Sequence, residues 1–153
     1  MKNIFFILLT LSIALPAQAN NSIFNHVGIQ KGAISESCYH DPCSIAKVME
    51  FNLLESNEDY HIVQLNVVGG TKPWKSKKVA WNSYPHNIYV TCSLRTPTVQ
   101  IGDDFTTLPI NSEYTVPGIL YSTATLYLKA CHNFNRDATE AAVKYGYDVK
   151  EDW

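Results

Sequence analysis

The chain has 153 residues, with 12 basic against 14 acidic side chains, a formal net charge of −2 at pH 7, and 46% of its residues hydrophobic. A surface this close to neutral, and slightly acidic, has no electrostatic reason to seek nucleic acid or an anionic bilayer. The length suits one domain with a packed core, and there is no internal repeat or low-complexity tract.

The chain opens MKNIFFILLTLSIALPAQAN, with one Lys at position 2, an apolar run from Ile4 to Leu15, then Pro16 and Ala17-Gln18-Ala19. That order is a secretory signal peptide, with cleavage expected after Ala19. The apolar run is shorter than the ~20 residues a membrane-spanning helix needs. Residues 1–19 are therefore read as the leader and 20–153 as a single globular secreted domain with no membrane span after cleavage. The small basic start and the Ala-x-Ala site point to a bacterial periplasm first and the medium second.

Residues 20–37 are polar and turn-rich and predict an irregular or edge segment. The stretch SIAKVMEFNLL predicts a strand with Ile45, Met49, Phe51 and Leu53 on one side, and the polar ESNED at 55–59 breaks it. YHIVQLNVV then alternates Val63, Leu65 and Val67 against Gln64 and Asn66, with Gly69-Gly70 read as its end, so the two runs make a β-hairpin. TKPWKSKK reads as a loop. VAWNSYP and NIYVTCS are predicted strands, the second with Ile88, Val90 and Cys92 on one face. TVQIGDDFTTLPI repeats the hairpin logic around Gly102-Asp103-Asp104, and Pro109 places its return strand at an edge or an end. In GILYSTATLYLKACHNF, Ile119, Leu120, Thr123, Leu126, Tyr127, Ala130 and Cys131 recur at three- and four-residue steps, the pattern of an amphipathic helix. DATEAAVKYG adds a second helix, with Asp137 as N-cap and Gly146 as terminator. The expected fold is α+β: a mostly antiparallel sheet of about five or six strands in hairpins, with two C-terminal helices packed on it.

All four cysteines, Cys38, Cys43, Cys92 and Cys131, follow the leader. In an oxidising compartment an even count predicts two disulfides. The favoured pairing is Cys38 with Cys43, around the turn-forming Asp41-Pro42, and Cys92 with Cys131 across a long loop. A zinc site on Cys38, His40 and Cys43 lacks a second half of matching spacing, and a redox Cys-x-x-Cys would need two intervening residues where this chain has four.

The sequence holds no Gly-x-Ser-x-Gly, His-Glu-x-x-His, phosphate loop or dinucleotide fingerprint, and no cofactor or metal ion is implied. Cys131 and His132 are adjacent on a helix and diverge, and Asp103-Asp104 belongs to a turn. His26, His61, His86 and His132 are scattered without metal-ligand spacing. What stands out is aromatic content, three Trp and nine Tyr, with Trp74, Trp81, Tyr84 and Tyr89 close to Lys72, Lys75, Lys77 and Lys78. Tyr and Trp anchor protein interfaces. Trp74, Lys75, Trp81 and Tyr84 are thus the predicted contact residues, set against the plainer reading of core aromatics beside a solvated Lys loop.

The expected function is a small exported binding protein, not an enzyme: an inhibitor or immunity protein whose partner is a cell-wall-degrading enzyme such as a peptidoglycan hydrolase. The bacterial lysozyme inhibitors resemble the chain in export, size and strand content, but their Ser/Gly-rich inhibitory loop with its Tyr has no counterpart here. The alternatives are a small periplasmic enzyme built around CYHDPC or His132, and a structural envelope protein with protein partners only.

Overall fold

A computed structural model describes residues 22–150, and the expected leader lies outside them. Seven strands come first: β1 (Ile34–Ser37), β2 (Cys43–Ser56), β3 (Tyr60–Lys72), β4 (Ala80–Trp81), β5 (His86–Ser93), β6 (Thr98–Ile101) and β7 (Asp104–Thr107). Two helices follow, α1 (Tyr121–His132) and α2 (Ala138–Tyr145), with short 3-10 turns at Val27–Ile29 and Gly118–Leu120. All strand pairs are antiparallel, in the order β1-β2-β3-β5-β6-β7, and β4 adds to β3 off that path. The architecture is the expected α+β sheet with two C-terminal helices, and the strand count exceeds expectation through the very short β4.

The period-two pattern of β3 decides which face is buried. His61, Val63, Leu65 and Val67 turn inward while Ile62, Gln64 and Asn66 are half-exposed. Opposite them in register stand Cys92, Val90, Ile88 and His86 of β5, and Val90 in turn meets Val99 of β6. Val63, Leu65, Val90 and Cys92 are fully buried, and each such aliphatic side chain contributes about 1.5–3 kcal/mol relative to exposure. Tyr127, Leu128, Ala130 and Cys131 of α1 close this face, and the Cys92–Cys131 disulfide ties the helix to β5.

Both helix boundaries follow local chemistry. Asn133 adopts a left-handed conformation at the end of α1. Asp137 caps α2 by accepting a bond from the Thr139 N–H at 2.7 Å, and Gly146 ends it with φ 84°. Glycine meets no Cβ penalty there. The chain then doubles back, burying Tyr147 and pinning Val149 N–H to the Ile110 carbonyl at 2.9 Å.

Four expectations need correction. Gly69-Gly70 does not end β3, which continues to Lys72. Gly70 lies opposite Trp81, and a Cβ there would stand 2.6 Å from the Ala80 carbonyl oxygen, so the missing side chain lets β4 approach. VAWNSYP is a strand only at Ala80–Trp81. In β2, register shifts at Val48/Glu50 and Leu53/Glu55 break the simple alternation. A bulge inserts one unpaired residue, so Val48 is buried in place of Met49, while Leu53 is exposed toward the strand end. Ile119 precedes α1 in the 3-10 turn and is 91% exposed.

Candidate functional site

At the Cys43 end of β2, three loops converge. The Cys38–Cys43 disulfide closes the first over a sequence separation of 5, and its Asp41–Pro42 peptide is cis. The pairing takes both sulfurs out of the Cys/His metal set considered from the sequence. The second loop, 73–79, leaves β3 just after Lys72, which stands opposite Cys43 and pairs with Glu36. Trp74 donates its backbone N–H to Asp41 Oδ1 at 3.1 Å, joining the two loops. The third piece is the turn at Gly118–Leu120. Tyr39 lies against Tyr121 with ring centroids 5.2 Å apart, and a Cβ on Gly118 would stand 2.5 Å from the Tyr39 ring. Glycine is needed here for close approach.

Large apolar side chains on these loops, on β4 and on the β4–β5 connection are exposed: Trp74 57%, Tyr39 49%, Trp81 41% and Tyr84 82%. Lys75, Lys77 and Lys78 are exposed around them, and His40 sits edge-on against Tyr39, centroids 4.5 Å apart. Trp74, Lys75 and Trp81, named from the sequence, share one end of β3. Tyr84 projects from the four residues joining β4 to β5. Tyr39 and Ile119 are exposed on the two other segments that meet here, and neither was flagged by sequence reasoning, since only the fold brings the 38–43 loop against both the 73–79 loop and the turn at Gly118.

The opposite end of β2 carries a second constellation, invisible in the sequence. His26, His61 and His132 gather around the Phe24 ring, whose centroid lies 4.9 Å from His61 and 5.5 Å from His132. His26 Nδ1 lies 2.7 Å from the Ala130 carbonyl oxygen, which can only accept, so His26 donates from Nδ1, and in the neutral tautomer this sets, Nε2 is an acceptor. His61 Nδ1 therefore donates to His26 Nε2 at 2.7 Å, leaving His61 Nε2 to accept from Ser56 Oγ at 2.9 Å, with Ser22 Oγ 3.4 Å away. Burial, and then the proximity of His26, lower the His61 pKa below the ordinary imidazole value.

His132 is held the same way. Its Nδ1 donates to the Ile23 carbonyl at 3.0 Å and its Nε2 accepts from the Tyr147 hydroxyl at 2.6 Å. Tyr147 and Tyr127 hydroxyls lie 3.1 Å apart, and Tyr127 accepts the Ser93 N–H at 3.1 Å. Burial pushes the His132 pKa down to about 4 and both buried Tyr hydroxyls well above the phenol range. Cys131 is consumed by its disulfide, so it forms no thiol couple with His132. His86 is exposed at the start of β5 and stands outside the cluster. Asp104 opens β7 opposite Ile101, so the tight turn is Gly102-Asp103 alone.

Comparison with known protein families, with curated proteins and with solved structures yields no match. Among the described residues no helix is long and apolar enough to cross a membrane. Two disulfides and no free cysteine among those residues are compatible with an oxidising, extracytoplasmic compartment.

Proposed function

We propose that this chain is an exported periplasmic binding protein, an inhibitor or immunity protein that blocks a cell-wall-degrading enzyme through the aromatic end of its sheet. The carrying observation is the bond from Trp74 N–H to Asp41 Oδ1, which fixes the Trp74 loop on the disulfide-closed loop. Tyr39 and Trp74 are thereby presented from two loops braced on one another, with Trp81, Tyr84 and Ile119 exposed on neighbouring segments and Lys75, Lys77 and Lys78 exposed on the Trp74 side. A clustered apolar surface rimmed by polar side chains is how interaction sites differ from scattered surface hydrophobics. Rigid aromatic anchors lose little side-chain entropy on binding and dominate interface energetics. The lysine rim suits an acidic margin on the partner.

Mixing the purified mature chain with a panel of lysozymes and peptidoglycan amidases tests the reading. A stable complex with loss of lytic activity is the expected result. Undiminished lysis across the panel with no complex would end it.

A further inference from the structure

We propose that Ser56 is an activated nucleophile that takes an acyl group from activated esters, with His61 as its general base and His26 as a positioning residue. This does not depend on the binding role, because Ser56 and Cys43 are the two ends of β2 and so lie at opposite ends of the sheet.

The atoms carry the inference. Ser56 Oγ lies 2.9 Å from His61 Nε2, and the far nitrogen of the same ring, Nδ1, lies 2.7 Å from His26 Nε2. A nucleophile and its base within hydrogen-bond reach, with the base oriented through its other nitrogen by a third group, is the arrangement that activates serine. The Ala130 carbonyl at the end of the series fixes the proton on His26 Nδ1, and with one proton on each ring it sets the rest. His61 consequently presents a lone pair, not a proton, to the serine. Ser56 and His61 are also cross-strand partners in register, so the backbone ladder itself sets their distance. The side chains differ in access as the chemistry needs: Ser56 is exposed, and His61 is buried behind it against Phe24.

In the reaction Ser56 Oγ bonds to the carbonyl carbon of the ester while its proton passes to His61 Nε2. The carbonyl oxygen gathers the displaced electron pair. Collapse of the tetrahedral species breaks the bond to the leaving oxygen, which recovers the proton from His61, and leaves an ester on Ser56. Water then repeats the sequence, restoring the serine and releasing the acid. Because only His61 assists departure of the leaving group, the fitting donors are esters whose leaving group is already good.

The titratable groups near the His61 ring are His26 at Nδ1, His132 across Phe24, and the Glu55–Tyr60 pair on flanking residues. Labelling therefore requires neutral His61 and falls away in acid.

The test is to incubate the purified mature chain with p-nitrophenyl acetate and, separately, a fluorophosphonate probe near neutral pH, then map adducts by mass spectrometry. The expected result is one adduct, on Ser56. Ser56→Ala removes it with unchanged thermal midpoint, and His61→Gln slows it by at least ~100-fold. His26→Ala slows labelling while Ser56 remains the site. Should His61→Gln fail to fold, Ser56→Ala with an intact thermal midpoint still decides. No adduct, an adduct on Ser22 or on lysines, or labelling indifferent to His61→Gln in a folded variant would overturn the assignment.

Discussion

His26 Nε2 and His61 Nδ1 stand 2.7 Å apart, a separation that holds one proton between two rings and has no place for a second. This pair and His132 fasten residues 22–26 to the end of α1 and to β3: His26 to the Ala130 carbonyl, His132 to the Ile23 carbonyl, and His61 near Ser22. The N-terminal segment is thus held by these imidazoles together with the Asn25 N–H donated to the Cys131 carbonyl at 2.7 Å, and burial lowers the pKa of both His61 and His132.

The first prediction is acid sensitivity. Burial in the fold brings the His132 pKa from the ordinary imidazole value of 6.5 down to about 4, so between those values the unfolded chain binds more protons. Stability is therefore full above the unfolded value and is lost as pH falls toward the folded one, by about 3 kcal/mol. The lowered His61 pKa adds in the same direction. Urea denaturation midpoints measured between pH 7 and pH 4 check this, and they should drop steadily below about pH 6.5.

The two disulfides should differ in worth. The Cys92–Cys131 bridge spans 39 residues and the Cys38–Cys43 bridge 5, so in the chain-entropy model their removal costs about 4 and about 2 kcal/mol respectively. Replacing each pair with Ser in turn and comparing denaturation free energies tests the order. The Cys38/Cys43 variant should also weaken binding, because that loop carries Tyr39 and accepts the Trp74 N–H.

Gly70→Ala should cost about 1–3 kcal/mol, since its new Cβ would press on the Ala80 carbonyl and the Trp81 ring. Gly32→Ala places no atom within 4 Å of a neighbour but strains a backbone at φ 89°. Its cost therefore comes from conformation alone. Only the Gly70 substitution should also shift Trp81 fluorescence, the readout that separates a displaced β4 from general weakening.

What could be read in the sequence is what depends on neighbours in the chain. The alternation Val63, Leu65, Val67 and the spacing Tyr127, Ala130, Cys131 announce β3 and α1, because each records one local periodicity. The Asp137 cap and the Gly146 terminator are equally local. The bulge that exposes Met49 was hidden, because it depends on pairing with β3. Gly69-Gly70 is a related case: Gly70 serves the approaching β4 and does not end the strand. The histidine cluster was hidden most completely. His26 and His61 are separated by 35 positions, and His26 reaches the Ala130 carbonyl across 104, so spacing carries no trace of a contact made by topology. The exposed Trp and Tyr of the proposed contact surface show in composition alone, and Tyr39 and Ile119 join them only once the loops are placed.

The most direct measurement is inhibition of a purified periplasmic peptidoglycan hydrolase by the mature chain and by its Trp74→Ala/Tyr84→Ala variant. Both side chains are solvent-facing, so the variant should keep the parent's thermal midpoint. The account predicts that the parent binds and blocks lysis while the variant loses at least ~30-fold in affinity, the effect of removing interface anchors worth about 2 kcal/mol or more. Equal inhibition by parent and variant would contradict the assignment of this surface, and no inhibition by either would contradict the function itself.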